Sequence, residues 1–167
     1  MLAGQVGLCL DGTAFWPRTV EKVTHSRAHH VVVAFTETEC ISAQPGGARF
    51  RPVSDFPNAV WSRFEMTDAQ RWQIRSLAYQ YRNTPYNYAG FLLIGAQYGA
   101  GLTIPPWMAR AVSQNKRMEC AQLADFLLSA AGVSVFEDGR EPGLMDPGMW
   151  EKKFAEREWV PPRLLRV

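Results

Sequence analysis

A chain of 167 residues, 47% of them hydrophobic and including six Trp and nine Phe, has the size and composition of one packed domain spanning 1–167. It is too short for two full domains and too apolar for a disordered tail. Eighteen Lys and Arg against sixteen Asp and Glu leave a formal charge of +2 without a basic cluster, which argues against a nucleic-acid partner.

Cys9, Cys40 and Cys120 cannot all pair, and none shows CxxC spacing, so neither a disulfide scaffold nor a zinc knuckle is expected. Only His25, His29 and His30 could gather around a metal, with no second cluster to complete a site; no metal or other cofactor is expected.

In chain order, the first segment, MLAGQVGLCLDGTAF, lacks a basic n-region and reads as a strand over 5–10 and a turn, not as a signal peptide. TAFWPRTVEKVTH follows as a short helix with Thr13 as N-cap and Pro17 in its first turn. HHVVVAFT, from His29 to Thr36, is dense in β-branched residues and reads as a strand. ECISAQ is a second strand, and PGG turns the chain into a third, ARFRPV.

The period changes at Thr67. Thr67 and Gln70 form a capping box, and Trp72, Ile74, Leu77, Ala78 and Tyr81 supply the apolar positions of a helix ending near Asn83. Arg63, Arg71, Arg75 and Arg82 around it read as a wet face. TPYNY breaks the pattern, and the apolar stretch from Tyr88 to Trp107 is cut by Gln97, glycines and the Pro105, Pro106 pair, short of the ~20 apolar residues that span a bilayer. It reads as a buried helix and loop, or as a greasy lid or partner surface. WMARAVSQ and ECAQLADFLLSAAG are further helices, the second stopped at Gly132; VSVF reads as a strand and MDPGMWEKKFAE as a short helix. A strand-rich first third and a helical remainder make the class α+β.

Cys120 falls in the first turn of the ECAQLADFLLSAAG helix, where unpaired amides and the helix dipole favour an anion. A thiol there can ionise near neutral pH and act as a nucleophile; a cysteine at the same place can also be inert packing. Glu119, just ahead of it, reads as a wetted dipole partner. Of the three histidines His30 is the best base, because on a strand it shares a face with Val32 and Ala34, while His29 points the other way.

The order HVVVAF, then PYNYAG, then MECAQLADFLLSAAG resembles the circularly permuted branch of NlpC-type papain-like peptidases and amidases, with its lipid-amidase-like and lecithin:retinol acyltransferase-like members, in which His precedes Cys. AGQVGL is similar to the family's opening strand, SAQPGGARFRP to its strand and turn after the histidine, and LMDPGMW stands where such chains often carry a Thr-Pro-x-x-Leu turn. The resemblance implies an antiparallel sheet packed against helices, with the nucleophile at a helix N-terminus. It also implies Cys120 as nucleophile, His30 as general base and Ser42 as the third, orienting residue, with Gln44 and Glu39 as alternatives. The oxyanion donors would be the Cys120 amide and a tyrosine, Tyr86 ahead of Tyr88.

The activity implied is cysteine hydrolase chemistry on an amide or ester through an acyl-enzyme. Peptidoglycan stem peptides head the substrates, in a phage tail or secretion-machine setting that supplies the delivery no signal provides; the location is virion-associated or cytoplasmic. The alternatives are a lipid acyl hydrolase or acyltransferase, and a structural or adaptor protein that kept the scaffold without chemistry, for which the uncharged Ser42 is the main hint.

Overall fold

A computed structural model of the chain describes residues 2–13, 15–113, 117–136 and 144–160. Among them are five strands, β1 (Val6–Leu10), β2 (Ala28–Ala34), β3 (Glu39–Gln44), β4 (Gly47–Pro52) and β5 (Ala59–Trp61). They form one antiparallel sheet in the order β4-β3-β2-β1-β5. Six helices accompany it: α1 (Phe15–Thr24), α2 (Asp68–Tyr81), α3 (Tyr88–Gly99), α4 (Pro106–Ser113), α5 (Cys120–Ala130) and α6 (Pro147–Glu156). The class is α+β, as the sequence pattern indicates. The expectation of order close to Met1 and Val167 concerns residues outside those described.

Strand alternation splits the sheet's side chains between two faces. Val6, Leu8, Leu10, Val31, Val33, Ile41 and Ala43 join the main core with Leu123, Leu127 and Leu128 of α5 and Trp150 and Phe154 of α6. Cys9, Val32 and Cys40 are buried outside that cluster. Full burial of a side chain such as Leu127 or Phe154 contributes roughly 1.5–3 kcal/mol. An exposed ion pair such as Arg51–Asp55 adds about 1 kcal/mol at most. Packing therefore fixes α5 and α6 on the sheet. The edges are β4 and β5, so the chain from 53 to 58 must cross a sheet face to join them, and on the way Phe56 stacks on the His30 ring at 5.7 Å between centroids.

The capping box of α2 is present: the Thr67 side chain accepts from Gln70 N while the Gln70 side chain accepts from the Thr67 amide. Trp72, expected in the core, is instead 71% exposed; Ile74 and Ala78 carry the buried face. Helix α1 begins at Phe15, two residues after the expected cap Thr13. VSVF is not a strand. Gly132, at φ +75°, and Val133 turn their amides back onto Ser129 O and Leu128 O at 2.9 Å each, closing α5, and Val135 then drops into the core. The short edge strand β5 has no counterpart in the sequence reading, since three half-buried residues carry too little alternation to be recognised.

The segment after α2 is tied to its neighbours by backbone. Ala48 N donates to Thr84 O at 2.8 Å and Asn83 N to Ala48 O at 2.7 Å, which fastens it to β4. Tyr86 then makes a parallel bridge with Met118, two residues ahead of Cys120.

Candidate active site

His30 enters from β2 beside a bulge: Cys9 pairs with His30 and Leu10 with Ala28, so His29 has no partner on β1. Val32 pairs with Ser42 on β3, and period-two alternation puts His30, Ser42 and Gln44 on one face of the sheet. Ser42 Oγ lies 2.7 Å from His30 Nε2, and Gln44 Nε2 lies 3.5 Å from the same atom. Burial, and secondarily the neighbouring His29, lower the imidazole to about 3, so it is neutral at physiological pH. Glu39, the other expected orienter, stands exposed at the far end of β3 opposite Pro52 and plays no part. His29, expected to point away, lines the same cavity as His30 because the bulge interrupts the alternation; its Nδ1 meets Glu21 Oε1 at 3.0 Å.

Cys120 is the first residue of α5, as the pattern requires, but its surroundings differ from the expectation. Glu119 is not wetted: it is 3% exposed and caps the helix, its Oε1 accepting from Gln122 N at 2.8 Å and its Oε2 from Ala121 N at 3.3 Å. The Cys120 thiol donates to Glu119 Oε2 at 3.6 Å. Amides that would hold a thiolate are thus occupied by the Glu119 carboxyl, which burial raises to about 8. Burial, then the Glu119 charge, push the thiol well above its ordinary value, against smaller opposing effects from the amides of Val31 and Ala121. The resting group is a neutral thiol, which corrects the expectation of a ready thiolate. Leu123 N bonds the Glu119 carbonyl at 2.9 Å. Glu119 therefore meets the second, third and fourth amides of the helix, and the first, that of Cys120, has no acceptor among the described residues.

A cavity of about 330 Å³ joins these groups, with His30, Gln44, Glu119, Cys120, Tyr86 and Asp146 on its polar side. Val20, Phe91 and Ile94 form an apolar wall. No hydrogen bond links the Cys120 thiol to the imidazole among the described residues; the Val31 amide that faces the sulfur belongs to the residue after His30. Tyr86 is buried, and burial, then Cys120 and Glu119, keep its hydroxyl protonated far above the usual range. Tyr88, the second tyrosine expected, is 49% exposed, packs edge-on against Tyr86 at 5.0 Å and does not line the cavity, so it is not an oxyanion donor here.

Asp146 and Asn87 were not singled out by the sequence reading. Asp146 caps α6 through Met149 N at 3.1 Å and accepts from Tyr98 Oη at 3.2 Å; its carboxyl is raised, chiefly by burial. Asn87 is fully buried, caps α3 through Gly90 N at 3.0 Å and donates to Gln122 Oε1 at 3.4 Å. The signal for both was available, since Asp before Pro and Asn before an apolar run mark helix starts. Their burial was not.

Comparison with family models and with curated proteins gives no match for this chain. Its chemistry has to be argued from the site. A thiol, an imidazole with one nitrogen tied down, a helix-terminal amide with no acceptor among the described residues and a protonated phenol around one cavity are parts that acyl transfer uses.

Proposed function

We propose that this chain is a cysteine acyl hydrolase or acyltransferase on a permuted papain-like scaffold, with Cys120 as nucleophile, His30 as base and Ser42 as orienter. The observation that carries the reading is the 2.7 Å contact of Ser42 with His30 Nε2 at a cavity shared with Cys120. With Nε2 engaged, Nδ1 is the nitrogen that takes the thiol proton as Sγ attacks the carbonyl carbon of an ester or amide. The oxyanion is met by the Cys120 amide and the Tyr86 hydroxyl. Collapse breaks the bond to the leaving alcohol or amine, which takes the proton back from the imidazolium and leaves a thioester. Water or a second acceptor, deprotonated by the same nitrogen, then releases the acyl group and restores the thiol.

The cavity bears on the substrate. No Lys or Arg lines it among the described residues, so it offers no cation to the carboxylates of peptidoglycan stem peptides. Pro17, Val20, Phe91 and Ile94 offer an apolar wall instead, which supports an uncharged acyl group. Peptidoglycan cleavage and a phage-tail setting rest on the resemblance alone.

A second reading, a scaffold that has lost its chemistry, is favoured by the missing thiol–imidazole hydrogen bond and by the neutral, Glu119-bound thiol. Hydrolysis of p-nitrophenyl octanoate and of muropeptides by the wild type, Cys120→Ala and His30→Ala separates the readings. The enzyme reading expects octanoate turnover that is abolished by Cys120→Ala and reduced by about 10²–10⁴ in His30→Ala. Octanoate turnover that survives Cys120→Ala, or none in the wild type with either substrate, favours the adaptor.

A further inference from the structure

Two groups of β3 meet the same ring nitrogen. Ser42 Oγ stands 2.7 Å from His30 Nε2 and Gln44 Nε2 stands 3.5 Å from it. A hydroxyl donates and accepts, so Ser42 is satisfied by either neutral tautomer and selects neither. A side-chain amide is not symmetrical in this way: its nitrogen only donates and its oxygen only accepts.

With the amide nitrogen of Gln44 turned to the ring, as the structure has it, the contact is a hydrogen bond only when Nε2 is the bare acceptor and the ring proton sits on Nδ1. That tautomer cannot take a proton at Nδ1. Half a turn of the terminal torsion, a soft sp³–sp² rotation, exchanges the amide oxygen for the nitrogen. Nε2 then carries the proton, donated toward β3, and Nδ1 is bare.

Gln44 can make that turn. It is the last residue of β3, pairs with Gly47 across the turn, is half-buried and lines the cavity, so the rotation disturbs neither the ladder nor the core. The imidazole itself stacks on Phe56, and its burial, with His29 nearby, holds it neutral, so the position of its one proton is the variable left to control.

We propose that Gln44 is a positioning residue that selects the His30 tautomer, its amide orientation deciding whether Nδ1 can accept a proton. The consequence for catalysis rests on the acyl-transfer reading; the tautomer does not. The titratable groups that share the cavity with the ring are His29 on β2, Asp55 from the 53–58 crossing, Tyr86, Glu119 and Cys120 at the start of α5, and Asp146 ahead of α6, and Cys9 of β1 is its cross-strand neighbour.

Long-range proton–nitrogen spectra of the full chain carrying ¹⁵N-histidine, recorded at pH 7 with thermal melts as a fold control, test this for the wild type, Gln44→Glu and Gln44→Met. The carboxylate of Gln44→Glu only accepts, so it should lock the proton on Nε2, raise the imidazole pKa and increase iodoacetamide alkylation of Cys120 by at least about threefold. Gln44→Met removes the selector, so its His30 nitrogen shifts should differ from those of the wild type, and alkylation should not rise. Identical His30 shifts in all three chains overturn the proposal. Should Gln44→Glu not fold, the wild type and Gln44→Met decide between them, since identical shifts there overturn it equally. Retained hydrolysis in Cys120→Ala defeats the acyl-transfer reading instead, and the nitrogen shifts still judge Gln44.

Discussion

Ser42 gives His30 a partner without a charge, and Glu119 gives Cys120 a carboxyl that, once ionised near pH 8, has the wrong sign for a thiolate. Removing each has an opposite expected effect. Ser42→Ala leaves a buried ring nitrogen without its close partner, at a cost of about 1–3 kcal/mol, and should lower both urea resistance and any turnover. Glu119→Gln removes a carboxyl that is ionised at the alkaline pH where the thiol titrates, so the pH midpoint of Cys120 alkylation should move down; an unchanged midpoint means burial alone governs the thiol. Strand alternation made the His30–Ser42 contact legible, because register follows from period two once β2 and β3 pair. Glu119 was illegible for a physical reason: an acid ahead of a helix looks like a dipole partner in any sequence, and only the packing of α5 onto β2 shows that this one is sealed from water.

At the level of elements, local chemistry that closes on itself could be read directly. The Thr67–Gln70 box and the Gly132 stop of α5 depend on neighbours in sequence and are present as expected. Strand composition without a strand partner misleads: VSVF reads as a strand, but its first amide completes α5. The β3–β4 turn also serves the site. Gly47 sits at φ +104°, and a Cβ there would stand 2.8 Å from Thr84 O, in the strip that carries Tyr86 to the cavity. Gly47→Ala should therefore destabilise the fold by about 1–3 kcal/mol in denaturant titrations and reduce turnover of the remaining folded enzyme by shifting Tyr86. A neutral outcome in both would separate the turn from the site.

For the molecule as a whole, buried ionisable groups set a pH window. The His30 value falls from 6.5 to about 3 on folding, so its contribution is complete above 6.5 and is lost as pH drops toward 3. The Glu119 value rises from 4.5 to about 8, so its contribution is complete below 4.5 and is lost as pH rises toward 8; Asp146 acts in the same sense. Between 4.5 and 6.5 the His30 slope opposes those of Glu119 and Asp146, so the melting temperature should vary less there than toward pH 3 or toward pH 8. Glu119→Gln should remove much of the alkaline fall, and an undiminished fall would locate its origin elsewhere. The fold class was readable from composition and periodicity, whereas the sign of these shifts required knowing which side chains the packing seals from water.

The central claim, that Cys120 carries an acyl group with His30 as its base, is tested most directly by intact-mass measurement after incubation with p-nitrophenyl octanoate. The account predicts one octanoyl adduct per chain and one equivalent of p-nitrophenol in the first turnover. The adduct should be a hydroxylamine-labile thioester on Cys120, unchanged in Cys9→Ala and Cys40→Ala, formed about 10²–10⁴ times more slowly in His30→Ala and absent in Cys120→Ala. No adduct on the folded wild type, or the same adduct on Cys120→Ala, contradicts it.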